Sequence, residues 1–126
     1  VEMKQKKTND PIMNESNNEL SNTFGTISMA RTSDPHSATS QFFINVSNNT
    51  YLNYQNDQKP GYCVFGRVIE GINVVNQIKQ VAVTSKKFYK NVPVAPVIIK
   101  RARTIVESQM EGFVEKPSIE GLPITN

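Results

Sequence analysis

The sequence predicts a mainly β protein, an antiparallel barrel or sandwich that carries one short helix. Two observations lead to this fold class. Short apolar stretches with a two-residue period recur along the chain, and the segments between them are too short for the crossover helices of a parallel sheet. The period lengthens to that of a helix near the start of the second half. The chain has 126 residues, which fits one domain with a single hydrophobic core.

The first 39 residues predict one strand between two irregular segments. Residues 1–24 are polar and predict irregular structure with a short helical turn near residues 15–20. Residues 26–30 alternate apolar and polar side chains, which predicts a strand. Residues 31–39 are small and polar, so a loop follows the strand.

Residues 40–46 are predicted to form the next strand, with two different faces, because successive side chains of a strand point in opposite directions. The apolar face carries Phe42, Ile44 and Val46. The mixed face carries Gln41, Phe43 and Asn45. The apolar face predicts a core stripe. An aromatic ring between two amides is more typical of a partly open pocket wall.

The second half predicts a loop over residues 47–61 and a third strand over residues 62–69, followed by a turn. Apolar side chains then recur at Ile72, Val75 and Ile78, which indicates an amphipathic helix of two to three turns.

The last part of the chain is predicted to hold a loop, a strand and a tail. Val92-Pro93 and Pro96 bracket the loop, and residues 97–106 form the last strand. The domain therefore covers residues 1–106, and residues 107–126 form a flexible tail.

Composition and charge argue against several classes of protein. The net charge of +3 comes from lysines and arginines near residues 86–90 and 100–103, which we interpret as a solvated face, so no nucleic-acid partner is predicted. No apolar run approaches the length of a membrane span. One histidine and one cysteine cannot supply a metal site, and we expect Cys63 to be a buried, inert thiol.

A hydrolase triad is not predicted either. Asp34, His36 and Ser37 are close in sequence, but the members of a triad converge from separate elements, and neighbouring loop residues seldom reach that geometry.

Three motifs resemble those of one family. GTISMART begins at Gly25, SATSQFFINV at Ser37 and GYCVFGRV at Gly61. In this order and spacing they resemble the cyclophilins, the cyclophilin-type peptidyl-prolyl cis-trans isomerases, and in particular the bacterial subgroup. The similarity runs in register from residue 2 to about residue 106.

The resemblance implies an eight-stranded antiparallel barrel capped by two helices, with a groove for proline on its outer surface. It also implies rotation of X–Pro peptide bonds without a cofactor or metal, and proline-containing peptides and unfolded proteins as partners. The expected fold is thus a cyclophilin-like barrel with a short capping helix, incomplete at its N-terminal side.

Seven residues match the family's substrate-binding positions. Gln41 is implied to contact the substrate backbone and to support catalysis. Phe43 and Leu52 are implied to wall the proline pocket, with Ala30 beside them. Arg31 is implied to present its backbone carbonyl.

Tyr51 and Tyr62 stand where other cyclophilins often have tryptophan and histidine. The tyrosine at position 51 implies weakened cyclosporin binding, because a tryptophan contact is lost.

The family's catalytic arginine lies before the segment that matches Met3, so no catalytic residue is certain in this sequence. We therefore expect an isomerase, and we expect these 126 residues alone to have weak isomerase activity or none. The alternatives are a non-catalytic module that binds proline peptides or acts as a chaperone, and a strand-swapped oligomer that completes the barrel. The bacterial cytoplasm and the periplasm both stay open as its location.

Overall fold

The computed structural model describes residues 5–105, in which five short strands form two antiparallel sheets. The first sheet has the order β2-β1-β3 and contains β1 (Thr26–Met29), β2 (Phe42–Ile44) and β3 (Val64–Arg67). The second is the hairpin of β4 (Val83–Lys86) and β5 (Tyr89–Pro93). A 3₁₀ turn spans Thr50–Leu52, and the helix α1 spans Ile72–Lys79.

The mainly β, antiparallel prediction is confirmed, and so is the short helix. Over residues 5–105 the strands do not close into a barrel, since the two sheets are separate. None of the helices in this range is long and apolar enough to cross a membrane. The predicted flexible tail lies outside the described residues.

β1 is the central strand of the first sheet, and it sets the geometry of both neighbours. Ile27 is paired with Ile44 of β2 and with Gly66 of β3. Ser28 is paired with Phe43 and Val64, with an irregularity in the β3 register between Ile27 and Ser28. Directly paired residues of antiparallel strands share a face, so the register separates an apolar face from the face that carries Ser28 and Phe43.

The predicted two faces of β2 are present, but their burial corrects the expectation. Phe42 pairs with Met29 on the apolar face, yet 46% of its surface is exposed. The described elements provide too little cover for this face to form a closed core. Asn45 was expected in an open pocket wall, but it is 1% exposed because it lies inside a hydrogen-bond network.

The helix α1 begins where the periodicity predicted. Gly71 precedes it with a positive φ of 79°, a conformation that glycine adopts without steric cost. Val68 donates its backbone N–H to the carbonyl of Gly25, and Ile72 Cδ1 lies 4.0 Å from the position of a Cβ built on Gly25. These contacts place the start of the helix beside the start of β1.

Two predictions of local structure were wrong. Residues 97–105 form no strand, since no neighbouring strand among the described residues offers them hydrogen bonds. Val92-Pro93, expected to border a loop, ends β5, where Val92 pairs with Thr84, and bends follow at residues 94–95. The segment near residues 15–20 forms a turn and bends rather than a helical turn.

The hairpin of β4 and β5 was not predicted, because its two-residue turn contains no glycine or asparagine. Lys87 takes the positive φ of 53° that such a turn needs, a conformation uncommon for this residue type.

Candidate functional site

Two aromatic rings from different strand ends meet on the face of the first sheet that carries Ser28. The rings of Phe43 and Tyr62 lie 5.6 Å apart between centroids and are inclined by 79°, an edge-to-face contact. Such pairs contribute about 0.5–1.5 kcal/mol beyond the area they bury. Phe43 belongs to β2 and Tyr62 precedes β3, and Ser28 of β1, on the strand between them, is paired with Phe43. Both rings are only half-buried.

The guanidinium of Arg31 lies over the Tyr62 ring, with Cζ 4.6 Å from the ring centroid. Its Nε and Nη2 donate to the carbonyl oxygen of Gly61 at 3.1 and 3.0 Å, and Nη1 donates to the carbonyl of Thr32 at 2.8 Å. Cation–π and charge-assisted hydrogen bonds thus hold the ring from one side. The resemblance assigned a role to the backbone carbonyl of Arg31, and the structure adds one for its side chain.

At Gly61 the backbone passes very close to the 3₁₀ turn and to Asn53, the residue after it. Its φ is +67°, and a Cβ there would lie 2.7 Å from the carbonyl oxygen of Asn53 and closer still to that of Leu52. The next residue, Tyr62, donates its N–H to the Leu52 carbonyl at 2.9 Å. The absence of a side chain at position 61 therefore lets Leu52 and Tyr62 sit side by side.

A buried amide connects this site to the sheet. Asn22 is 0% exposed, and its Nδ2 donates to the carbonyls of Leu52 and Tyr62 at 3.2 and 3.1 Å. Its Oδ1 accepts from Ser28 Oγ at 2.7 Å and from Asn45 Nδ2 at 3.2 Å. Every buried side-chain polar atom among the residues described has a hydrogen-bond partner. The network ties the turn, β1 and β2 together beneath the aromatic pair.

The other predicted site residues lie around this cluster. Ala30 donates its N–H to the carbonyl of Gln41 at 2.9 Å, which fixes those two residues next to each other at the end of β1. Gln41 is exposed. Tyr51 is 72% exposed and lines a polar cavity of about 300 Å³ together with Arg31.

Among the predicted site residues, Tyr62 makes contacts with three of the others. Tyr62 contacts Phe43 and Arg31 through its ring and Leu52 through its backbone. Asn22 and the guanidinium of Arg31 were missed, and the only sequence signal for the network was the amide of Asn45 in an otherwise apolar strand.

Cys63 and His36 take no part in this cluster. Burial raises the pKa of the Cys63 thiol, partly opposed by the backbone of Glu15, and the thiol lines a second, mainly apolar cavity of about 250 Å³. Cys63 is half-buried rather than fully buried as expected. His36 Nδ1 accepts the backbone N–H of Asn14, and Ser37 Oγ donates to the carbonyl of Asp34. These partners differ from those of a hydrolase triad.

The described residues form an antiparallel β domain that presents a half-exposed aromatic pair beside a 3₁₀ turn. Comparison with known proteins identifies its family. The model of the family described as cyclophilin type peptidyl-prolyl cis-trans isomerase/CLD matches residues 1–104. This chain belongs to that family.

Several bacterial relatives are similar over most of the chain. Peptidyl-prolyl cis-trans isomerase B of Escherichia coli is 53% identical over 100 residues, which is 78% of this chain and 61% of the relative. Peptidyl-prolyl cis-trans isomerase A of Dickeya dadantii is 50% identical over 104 residues, 82% of this chain and 54% of the relative. A peptidyl-prolyl cis-trans isomerase of Acinetobacter baylyi is 53% identical over 97 residues, 77% and 51%. The chain thus spans between half and two thirds of the length of these relatives.

Proposed function

We propose that this protein binds X–Pro peptides at the Phe43–Tyr62 pair and acts in the rotation of their prolyl bonds. The observation that carries the proposal is the half-exposed edge-to-face pair itself, held by Arg31 on one side and joined to Leu52 on the other. Family membership supports it, since the family is described by this isomerisation.

The chemistry of the reaction suits such a site. Amide resonance sets a barrier of about 18–20 kcal/mol, and uncatalysed exchange takes on the order of tens to hundreds of seconds. Lowering the barrier requires neither a nucleophile nor a proton transfer. It requires a surface that binds the twisted bond more strongly than either planar isomer.

Each residue has a part in the proposal. Phe43 and Leu52 hold the prolyl ring against an apolar wall, and Tyr62 forms its edge. The exposed amide of Gln41, beside Ala30, hydrogen-bonds the peptide backbone. Rotation about the bond then leaves the ring fixed while the flanking residue moves.

The 126-residue chain alone is proposed to be a weak catalyst. A donor to the prolyl nitrogen stabilises the twisted state, because that nitrogen becomes more basic as resonance is lost. The guanidinium of Arg31 is fixed beside Tyr62 by hydrogen bonds to two backbone carbonyls, and the family's catalytic arginine matches no position of this sequence.

A protease-coupled prolyl assay and a chemical-shift titration with a proline peptide test both parts. We expect saturable shifts at Phe43 and Tyr62 together with slow turnover. Turnover equal to that of a complete cyclophilin would contradict the weakness of the chain. A proline peptide that shifts no signal at these rings would contradict the site.

A non-catalytic module that binds proline peptides or unfolded chains is the second candidate. The same pocket supports it, because binding needs the apolar wall and not the donor. Peptide binding with no change in the exchange rate between cis and trans signals would favour this candidate.

Two further proposals concern partners. Tyr51 offers less contact area than tryptophan, so cyclosporin should bind weakly. The half-exposed apolar side chains of Phe42 and Phe65 favour an oligomer in which strands of another copy cover them. An exposed apolar surface favours association, and so do unpaired strand edges such as the outer edges of β2 and β3 in the described sheet. Sedimentation that shows monomer at all concentrations would contradict the oligomer.

A further inference from the structure

We infer that the polar cavity beside Tyr51 is a cationic subsite that takes an acidic side chain next to the proline of the bound peptide. The inference rests on the proposed function, because it extends the prolyl site. It follows from the lining of the cavity, its charge and its position.

The lining is polar and carries positive charge. The cavity of about 300 Å³ is lined by residues of the segments 31–35 and 51–61, and both Arg31 and Lys59 are among them. The lining includes the amides of Asn53, Gln55 and Gln58 and contains no aspartate or glutamate. A carboxylate placed there meets two cations and several neutral donors.

The charge of Arg31 is not neutralised by its partners. Its hydrogen bonds to described residues go to the carbonyl oxygens of Gly61 and Thr32, which carry no net charge. Three of the five guanidinium N–H groups are used in this way, which leaves two donors for a ligand. Because the guanidinium is already fixed over Tyr62, little side-chain entropy is lost when it binds a carboxylate.

The nearest loop carboxylates do not enter the cavity lining. Asp34 lies between two lining residues, but its Oδ1 accepts the backbone N–H of His36. Asp57 lies in the same loop as Lys59, and its Oδ1 accepts the hydroxyl of Tyr54. Both carboxylates are directed to partners within their own loops.

The cavity and the proposed prolyl site share Arg31. Arg31 borders both, since its guanidinium covers the Tyr62 ring and also lines the cavity. Tyr51, next to Leu52 in the 3₁₀ turn, lines the cavity as well. A peptide that seats its proline against Phe43 and Tyr62 therefore brings a neighbouring side chain to this subsite.

The test uses the full chain and three blocked six-residue peptides with one central proline. One has glutamine on both sides of the proline, and the other two have glutamate directly before or directly after it. Chemical-shift titrations at low and at high salt give the dissociation constants. We expect one glutamate peptide to bind about two- to fivefold more tightly than the glutamine peptide at low salt, the range of a partly exposed ion pair. High salt should remove this preference.

Lys59→Gln should bring the ratio of acidic to neutral affinity closer to one, because only one of the two cations of the subsite is left. A loss of folding or of prolyl binding would change all three affinities together and leave the ratio intact. Lys90→Gln, on the exposed face of the β4–β5 hairpin, removes the same charge elsewhere and should keep the preference.

The outcomes are distinct. Equal affinities for the glutamine peptide and both glutamate peptides would overturn the subsite while leaving the prolyl site in place. An equal loss of preference in Lys59→Gln and Lys90→Gln would show an effect of net charge and also overturn it. Absence of binding by all three peptides would contradict the proposed function, and the subsite with it.

Discussion

The guanidinium carbon of Arg31 lies 4.6 Å from the centroid of the Tyr62 ring, although the two residues are 31 positions apart in the chain. The same guanidinium donates hydrogen bonds to the carbonyl of Gly61, the residue before Tyr62. The contact orients the ring that meets Phe43. Arg31 is therefore a positioning residue for the aromatic pair. Three predictions concern the contacts that hold this site together, and a fourth concerns Cys63.

Gly61→Ala should destabilise the protein strongly. A non-glycine residue at φ +67° costs about 1–2 kcal/mol, and the added methyl group also overlaps the Leu52 and Asn53 carbonyls. Urea denaturation should show a loss of more than about 2 kcal/mol in the free energy of unfolding. Gly66→Ala is the matched control, because a Cβ there meets nothing within 4 Å. A small effect at position 61, equal to that at position 66, would contradict the close approach.

Asn22→Ala should cost more than any exposed asparagine substitution. The substitution removes hydrogen-bond partners of the Ser28 hydroxyl, the Asn45 amide and the backbone carbonyls of Leu52 and Tyr62. Each of these groups that is left without a partner costs about 1–3 kcal/mol of stability. We expect a lower urea midpoint and altered amide shifts at Leu52 and Tyr62. Asn76→Ala, on the exposed side of α1, is the control and should change stability little. Unaltered shifts at Leu52 and Tyr62 would show that Asn22 does not hold the turn.

Arg31→Met should loosen Tyr62 without removing the bulk of the side chain. The lost cation–π contact and charge-assisted hydrogen bonds correspond to about 1–3 kcal/mol of stability. The upfield ring-current shifts between Tyr62 and Phe43 should shrink, and the affinity for a neutral proline peptide should fall. Arg31→Lys keeps the positive charge but cannot donate through two fixed N–H groups to the Gly61 carbonyl, so it should restore only part of the lost stability and affinity. Full rescue by lysine would contradict the role of the guanidinium geometry.

Cys63 should react slowly with iodoacetamide near pH 8. Burial raises the pKa of its thiol above the ordinary value, so a smaller fraction is thiolate in the folded than in the urea-unfolded chain. Because the pKa of the thiol is higher in the folded than in the unfolded chain, folding favours the neutral thiol. This contribution to stability is fully present below the unfolded-state pKa, and it is lost as the pH rises through the folded-state pKa. Stability should therefore decline above about pH 8.5, and less so in Cys63→Ser. Equal alkylation rates in the folded and unfolded chain would contradict the shift.

Strand alternation was enough to separate Phe42 from Phe43. The register of β1 with β2 places Phe42 opposite Met29 and Phe43 opposite Ser28, on the two faces that the sequence predicted. The burial of those faces could not be predicted in the same way. Exposure of Phe42 and burial of Asn45 depend on which other elements cover each face, and the alternation of a single strand carries no information on that.

Residue patterns alone were sufficient to predict the antiparallel β class, the helix that starts at Ile72 and, through the motifs, the family. These follow from side chains only a few positions apart, whose periodicity dictates local structure, and from matched segments in a fixed order. The hydrogen bonds of Arg31 to Gly61, and of Asn22 to Leu52 and Ser28, could be seen only in the folded chain. The groups that meet there are distant in sequence, and the path of the intervening loops, rather than any local pattern, sets which donor reaches which carbonyl.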